Sequence, residues 1–373
     1  MTTDDITLRL EMADLLAAGG ALRSEPWRKA VEAVPRHQFL SGGYFVQGEG
    51  AAWRPVMPAD PGWLAGCYGD ESLVTQIAGT IVPGDIRGEI LRAPTSSSTM
   101  PRLVVRMLED LRVEEGGRVL EIGTGTGYST ALLCHRLGQD AITSVEVDPD
   151  VSARAGASLR AVGYEPQLVI GDGLGGYGEG APYDRTIATC GVTELPYAWV
   201  EQTRPGGTIL AAVGGWLGSS ELARLTVGDD GTARGPLLGG RVGFMLARPQ
   251  LPPPLGMLPD LTEGEERPTS VGADLLDDWT CRFVAQIAAP RAQHLTLDRN
   301  GVLEHVLIDV TGGSWAALTG RDGEWTVRQS PGRHLWDAVE EAVLRWRSDG
   351  GPGANGFMLE VTPDGTRVTW TPV

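Results

Sequence analysis

The chain is poor in the features that mark metal, disulfide and membrane proteins. Its four cysteines, Cys67, Cys134, Cys190 and Cys281, are widely spaced and form no CxxC pair. That spacing excludes a zinc ribbon or a disulfide framework and leads us to expect reduced, mostly buried thiols in a cytoplasmic protein. The five histidines are scattered with no HxxxH pair, so no metal site is expected. No apolar run approaches the roughly 20 residues of a bilayer span. The opening "MTTDDITLRLEMADLLAAGG" carries acids early and lacks the basic-then-apolar order of a signal peptide. Positive charge is also scarce, with 31 Lys and Arg against 48 Asp and Glu and a formal net charge of −17. Such a chain repels phosphate backbones and has no basic cluster, so neither nucleic acid nor membrane is expected as a partner. The acidity is equally that of a soluble surface and names no substrate.

The 373 residues, 42% of them hydrophobic, suffice for two domains with buried cores. Residues 4–34 read as two short helices, the first with Leu8, Leu10, Met12, Leu15 and Leu16 on one face and the second ending at Pro35. The text is then irregular as far as Ile86. "APTSSSTMPRLVVRM", residues 93–107, runs from a hydroxyl cluster into a helix in which Leu103, Val104, Met107, Leu108 and Leu111 share a face. Ser and Thr are favoured N-caps and Pro is favoured in the first turn. One hydroxyl satisfies that need, and three of the four at 96–99 are left over.

From Arg118 strands and helices alternate: "RVLEI", a helix from Tyr128, "ITSVEV", a helix from Pro149, "QLVIG", "RTIAT", a helix from Pro196 and "TILAAV". This rhythm predicts a parallel α/β sheet. "ELARLTV" and "RVGFMLA" read as a closing antiparallel hairpin around "GDDG". Residues 248–272, rich in proline and charge, read as a linker. "CRFVAQIAA" and the segments after it read as strands, with one inserted helix carrying Leu335, Val339, Ala342, Val343 and Trp346 on a face. No reactive constellation is evident there, and His294, His305 and His334 read as structural or exposed.

"VLEIGTGTGYS", residues 119–129, carries the chemistry. Gly123, Gly125 and Gly127 stand where strand turns into helix, so backbone can approach a ligand closely. The pattern is GxGxG, and the missing last glycine of GxGxxG argues against a dinucleotide. Glu121 puts a negative charge where a pyrophosphate would be repelled and a sulfonium or ammonium favoured. Glu146, twenty-five residues on, can take both hydroxyls of a ribose. Asp172, between Gly171 and Gly173, can accept from an adenine amino group. Any one of these acids can be read as a loop cap; three at successive strand ends read as a site.

At these residues the chain resembles S-adenosylmethionine-dependent methyltransferases, and within them protein-L-isoaspartate O-methyltransferases. "AVPRHQFL" is similar to the family's Val-Pro-Arg segment through Val34, Pro35 and Arg36. "CYGDESL" is similar to its Tyr-x-Asp segment through Tyr68 and Asp70, and "GDGLGGYGEGAPYD" to its Gly-Asp-Gly and Pro-Tyr-Asp elements. The family usually reads Thr-Ile-Ser-Gln-Pro where this chain has Ser97, Ser98, Thr99, Met100 and Pro101. Thr99 thus stands at the serine that helps hold the substrate carboxylate, Ser98 replaces an apolar residue and Met100 an amide. The resemblance implies a class I, Rossmann-like α/β fold with a seven-stranded, mostly parallel sheet, followed here by a C-terminal α+β domain. It implies S-adenosylmethionine as cofactor and S-adenosylhomocysteine as product. Cofactor contacts fall on Glu121, Gly123, Thr124, Gly125, Gly127, Tyr128, Glu146, Val147, Asp172 and Gly173. Catalytic hydroxyls fall on Thr99, Ser98 and Ser97, and substrate contacts on Arg36, Tyr68 and Ser96. The expected organisation is an N-terminal substrate-contacting segment at 1–80, a methyltransferase domain at 81–247, a linker at 248–272 and a peptide-recognising domain at 273–373.

The extended chain also resembles actinobacterial enzymes associated with ribosomal peptides such as graspetides, lanthipeptides and lasso peptides. That resemblance implies methylation of an ordinary aspartate in a modified precursor peptide, followed by aspartimide formation. The alternatives are repair of isoaspartyl proteins and a non-catalytic, cofactor-bound scaffold that recruits a peptide.

Overall fold

A computed structural model of the chain describes residues 4–373, so residues 1–3 of the segment read as 1–80 lie outside the described residues. Asp4 starts α1 (Asp5–Ala18) by accepting the Thr7 N–H at 2.7 Å. This helix buries Met12, Ala13 and Leu16, whereas Leu10 and Leu15, read as part of the same face, are exposed. Helix α2 (Glu25–Ala33) stops ahead of Pro35, which cannot continue the hydrogen-bond ladder.

The stretch that reads as irregular builds a small sheet from β1 (Tyr44–Gln47), β2 (Trp53–Val56), β3 (Leu73–Ile77) and β4 (Pro94–Ser98), in the order β2-β1-β3-β4. A short helix, α3 (Trp63–Cys67), precedes β3. These strands are only four or five residues long. β4 pairs antiparallel with β3 across the long connection 78–93, a non-local contact that no local pattern announces. The hydroxyl run is therefore strand up to Ser98, and helix α4 (Pro101–Leu111) begins after Met100.

The α/β reading holds from Arg118 onward. β5 (Val119–Ile122), α5 (Tyr128–Leu137), β6 (Ile142–Glu146), α6 (Pro149–Ala161) and β7 (Gln167–Ile170) are followed by β8 (Tyr183–Val192), α7 (Tyr197–Gln202) and β9 (Thr203–Gly214). β5 pairs in parallel with both β6 and β8, and β6 with β7. β5 and β6 are buried along their whole length, as expected of central parallel strands. The closing hairpin differs from expectation. β10 (Ser220–Val227) is followed by β11 (Ala233–Pro236), and "RVGFMLA" runs on as extended chain bonded to Gly191 by the Met245 carbonyl and the Ala247 N–H.

The expected seven strands are present and two more join them. β17 (Phe357–Thr362) pairs with β11, and β18 (Gly365–Trp370) with β17, giving the order β18-β17-β11-β10-β9-β8-β5-β6-β7. Between them a five-stranded antiparallel sheet, β12-β16-β15-β14-β13, is built from β12 (Glu265–Thr269), β13 (Gln293–Arg299), β14 (Val302–Asp309), β15 (Ser314–Arg321) and β16 (Glu324–Gln329). β12 lies inside the stretch read as linker. "CRFVAQIAA" is not a strand but lies in α8 (Trp279–Ala288), which Asp278 caps by accepting the Cys281 N–H at 2.7 Å. A short apolar run is ambiguous by period alone, and the capping acid decides it. Helix α9 (Leu335–Ser348) buries Leu335, Trp336, Val339 and Val343.

The chain divides into two compact units. One runs to Thr189 and adds Ala198–Leu210 and Thr226–Gly231; the other comprises Cys190–Tyr197, Ala211–Leu225 and Thr232–Val373. No described helix is long and apolar enough to cross a membrane.

Candidate active site

All candidate residues lie in the first unit. At the end of β5 the chain turns sharply through Gly123, Gly125 and Gly127, with φ of 92°, 55° and 90°, a left-handed backbone that side-chain-bearing residues resist. Three devices fix this turn. Glu146 Oε2 accepts the Gly125 N–H at 2.9 Å, and its other oxygen accepts the Asp148 N–H at 3.1 Å. Thr189 Oγ1 donates to the Ile122 and Gly123 carbonyls. Thr124 Oγ1 bonds Ser144 Oγ at 2.7 Å.

Glu121 does not face a ligand. It is fully buried beneath the turn and accepts the hydroxyls of Ser129 at 2.6 Å, Thr130 at 2.5 Å and Ser144 at 2.7 Å. Burial pushes its carboxyl above the usual range, and the three donors pull it back. The expected direct pairing with a cationic ligand is thus corrected: Glu121 anchors β5, α5 and β6 to one another.

Asp172 is exposed and spends one oxygen on the Leu174 N–H at 3.0 Å, leaving the other open. The following Gly173 has no room for a side chain, since a Cβ there would sit 2.5 Å from Ile122 Cγ2. Trp199 Nε1 donates to the Gly173 carbonyl at 2.8 Å and holds that turn. Val147, 38% exposed, and Ile170, 60% exposed, are apolar side chains left uncovered at the ends of β6 and β7. Ile170, Thr189 and Ser144 were not singled out from the sequence. For Ile170 the available signal was its place directly before Gly171 and Asp172.

These groups fit S-adenosylmethionine. Glu146 would hold the ribose, Asp172 the adenine amino group and Val147 with Ile170 the adenine faces, while the glycine turn would admit the amino-acid end. The cofactor when bound supplies an electrophilic methyl carbon on a sulfonium. Replacing Glu146 by Ala is expected to weaken S-adenosylhomocysteine binding by about 1.5–3 kcal/mol, the range for a hydrogen bond to a charged group. Calorimetric titration reads it directly, and an unchanged affinity would remove Glu146 from the cofactor site.

The hydroxyl cluster has another setting than the one expected. Met100, not a hydroxyl residue, stands at the N-cap of α4 and makes no side-chain cap bond. The first turn is capped from a neighbouring segment: Met100 N–H donates to Ser72 Oγ at 3.1 Å and Arg102 N–H to Asp70 Oδ1 at 2.8 Å. The hydroxyls are thereby released from capping and divide by strand alternation. Ser96 and Ser98 are buried, while Ser97 and Thr99 are half-buried with hydroxyls that make no hydrogen bond among the described residues. Ser98, read as catalytic, is only 2% exposed, and its hydroxyl has no partner, which takes it out of reach of a substrate. The strand lies against the glycine turn, where a Cβ on Gly125 would be 3.6 Å from the Ser97 carbonyl oxygen.

Arg36 and Tyr68, read as substrate contacts, are both buried. The Arg36 guanidinium donates to the carbonyls of Cys67 at 2.7 Å, Gly69 at 3.1 Å, Glu71 at 3.1 Å, Ser98 at 3.3 Å and Thr99 at 3.2 Å. It also lies 5.9 Å from the centre of the Tyr128 ring. No Nη donor remains for a substrate; Arg36 braces the hydroxyl strand. The Tyr68 hydroxyl is bonded to His37 Nδ1 at 2.7 Å. Tyr128 packs edge-on against Phe39, and burial pushes its hydroxyl up to about 12, so it stays protonated behind the turn.

Among the described residues no group of three or more His, Cys, Asp or Glu is placed to hold a metal ion. The four cysteines are free thiols.

Comparison with known proteins gives the family. The family model for protein-L-isoaspartate(D-aspartate) O-methyltransferase matches residues 85–234. The protein-L-isoaspartate O-methyltransferase of Thermococcus onnurineus is 32% identical over 223 residues, which cover 59% of this chain and 84% of that one. Protein-L-isoaspartate O-methyltransferase 2 of Archaeoglobus fulgidus is 35% identical over 156 residues, covering 40% and 71%. A solved structure titled protein-L-isoaspartate O-methyltransferase superposes with a TM-score of 0.56 at 21% identity, over 97% of this chain and 99% of that one, and shows the same fold. That fold is the class I S-adenosylmethionine-dependent methyltransferase fold. The glycine turn, the acids at the strand ends and relatives above 30% identity together make this chain a member of the protein-L-isoaspartate O-methyltransferase family, enzymes that methylate carboxylates.

Proposed function

We propose that the chain esterifies the side chain of an ordinary aspartate in a macrocyclised ribosomal peptide, and that the ester then closes to an aspartimide. The observation that carries this reading is the hydroxyl run at the end of β4, which Ser72 and Asp70 release from capping and whose Ser97 carbonyl lies against the glycine turn, with the Ser97 and Thr99 hydroxyls unspent. With Met100 in place of an amide and Ser98 in place of an apolar residue, this strand departs from the family's usual wording at the substrate carboxylate. We assign peptide selection to the α+β stretch 273–373 and chemistry to 81–247.

The chemistry asks little of acid or base groups. A carboxylate with a reference pKa near 4 is already ionised at about pH 7, so no general base is required. What the chain must supply is alignment of the carboxylate oxygen, with water kept out. Thr99 and Ser97 suit this because a hydroxyl orients a carboxylate without neutralising it, as a guanidinium would. Arg36, the nearby cation, is spent on carbonyls.

The products test the reading. An aspartyl methyl ester is a good acyl electrophile, and the next residue's amide nitrogen is one five-membered ring away. As that nitrogen bonds the ester carbonyl carbon, methoxide leaves and takes the amide proton as methanol. Mass spectrometry of a cyclised aspartyl peptide should show a gain of one methylene, then loss of methanol, ending one water lighter than at the start.

A second reading, methylation of isoaspartyl residues in damaged proteins, is favoured by the names of the relatives above. Efficient methylation of isoaspartyl peptides of arbitrary sequence, with ordinary aspartate untouched, would decide for it.

A further inference from the structure

A cavity of about 360 Å³ opens beside the glycine turn, between Gly125 and Thr126 on one side and α6 on the other. Its size is within the range of ligand sites, roughly 300–1,000 Å³. Sixteen residues line it and none carries a carboxylate, in a chain with 48 acids. Its polar side chains are the hydroxyls of Ser41, Thr75, Ser96, Thr126 and Ser158 and the guanidinium of Arg154. Arg154 is exposed and makes no hydrogen bond or ion pair among the described residues. The cavity therefore offers a cation and hydroxyls with no carboxylate among its lining side chains, inside a protein whose net charge repels anions elsewhere.

Ser96 connects this cavity to the methylation site. It belongs to β4 and stands three positions from Thr99, about 10 Å along an extended chain at roughly 3.3 Å per residue. A peptide whose reacting carboxylate lies at Thr99 therefore reaches the Ser96 wall of this cavity, which Arg154 also lines, with a side chain about three residues away. We propose that the cavity is a subsite for an acidic side chain of the substrate peptide, flanking the methylated residue and paired with Arg154. The inference rests on the reading that Thr99 and Ser97 present a peptide carboxylate, but it does not depend on whether that residue is aspartate or isoaspartate.

The test uses the full chain and two series of heptapeptides, one cyclised with a central aspartate and one linear with a central isoaspartate, in which one Glu, or Gln in its place, is moved through each position on either side of the central residue. At one position, about three residues out, the Glu peptide should have a KM about fivefold below its Gln twin, the size of a partly exposed ion pair. Arg154→Gln should bring that ratio to about one, and Arg154→Glu should invert it. S-adenosylhomocysteine affinity of both variants should match the unmodified chain. The same peptides titrated into the S-adenosylhomocysteine-loaded protein give the ratio as a Kd, independent of turnover. Equal Glu and Gln values at every position in whichever series binds, or no binding of either series, would overturn the subsite. Equal values with turnover intact leave the carboxyl methyltransferase reading standing, whereas peptides that bind with the expected ratio but are never methylated count against that reading alone. Loss of S-adenosylhomocysteine affinity in Arg154→Gln would reassign the cavity to the cofactor and also overturn the proposal.

Discussion

Replacing Arg36 by Ala is expected to lower the unfolding free energy by about 3–5 kcal/mol, a cost similar to breaking a buried charged pair from one side. The side chain is fully buried, and its loss leaves five carbonyls from two separate segments without their donor. A buried carbonyl stranded in this way costs roughly 1–3 kcal/mol, and partial collapse of the site recovers some of the total. Turnover should fall as well, because the Ser98 and Thr99 carbonyls lose their brace and the hydroxyl strand loses its fixed distance from the glycine turn. Arg36→Lys should rescue only part of the stability, since one ammonium with three donors cannot reproduce a planar five-donor fork. Urea unfolding monitored by tryptophan fluorescence measures both variants. A change below about 1 kcal/mol in Arg36→Ala would mean that the carbonyls find other donors and that the brace is dispensable.

Thr99→Ala should reduce turnover by about 10–100-fold, the penalty expected when a reacting group is held about 1 Å out of place. Thr99→Ser keeps the hydroxyl and should stay close to the unmodified chain. Stability should barely move in either variant, because the N-terminus of α4 is capped by Ser72 and Asp70 and not by Thr99. Cofactor affinity should also hold, since Thr99 makes none of the bonds that shape the glycine turn. Initial-rate kinetics, thermal melts and calorimetry on one preparation separate these effects. A lowered melting temperature with intact turnover would return Thr99 to the role of a helix cap.

Much of the cofactor half was legible because its signals are local. Three alternate glycines at a strand end must turn, whatever surrounds them, and Gly123, Gly125 and Gly127 do so with positive φ. Strand and helix periods along 118–214 likewise report a backbone whose hydrogen bonds and burial repeat every few residues. Local pattern was weaker where a short segment satisfied two periods. "CRFVAQIAA" reads as strand by its apolar run and is helical because Asp278 caps it. "EERPT", read as linker, became β12 because β16 offered it a pairing edge.

The sheet's core, the turn through Gly123, Gly125 and Gly127 and the acids at the strand ends were legible from the chain alone, since each follows from residues within a few positions of one another. What the polar groups do depends on long-range contacts. Arg36 meets carbonyls 31 to 63 positions away, Glu121 meets a hydroxyl 23 positions away, and Ser72 and Asp70 displace the hydroxyl cluster from its capping role across 28 and 32 positions. A side chain's chemical type says which bonds it can form, but whether those bonds are spent inside the protein or left for a substrate depends on which distant groups the fold brings within 3 Å. That is why the sequence marked Arg36 and Glu121 as ligand contacts while the folded chain uses them to hold the site in shape.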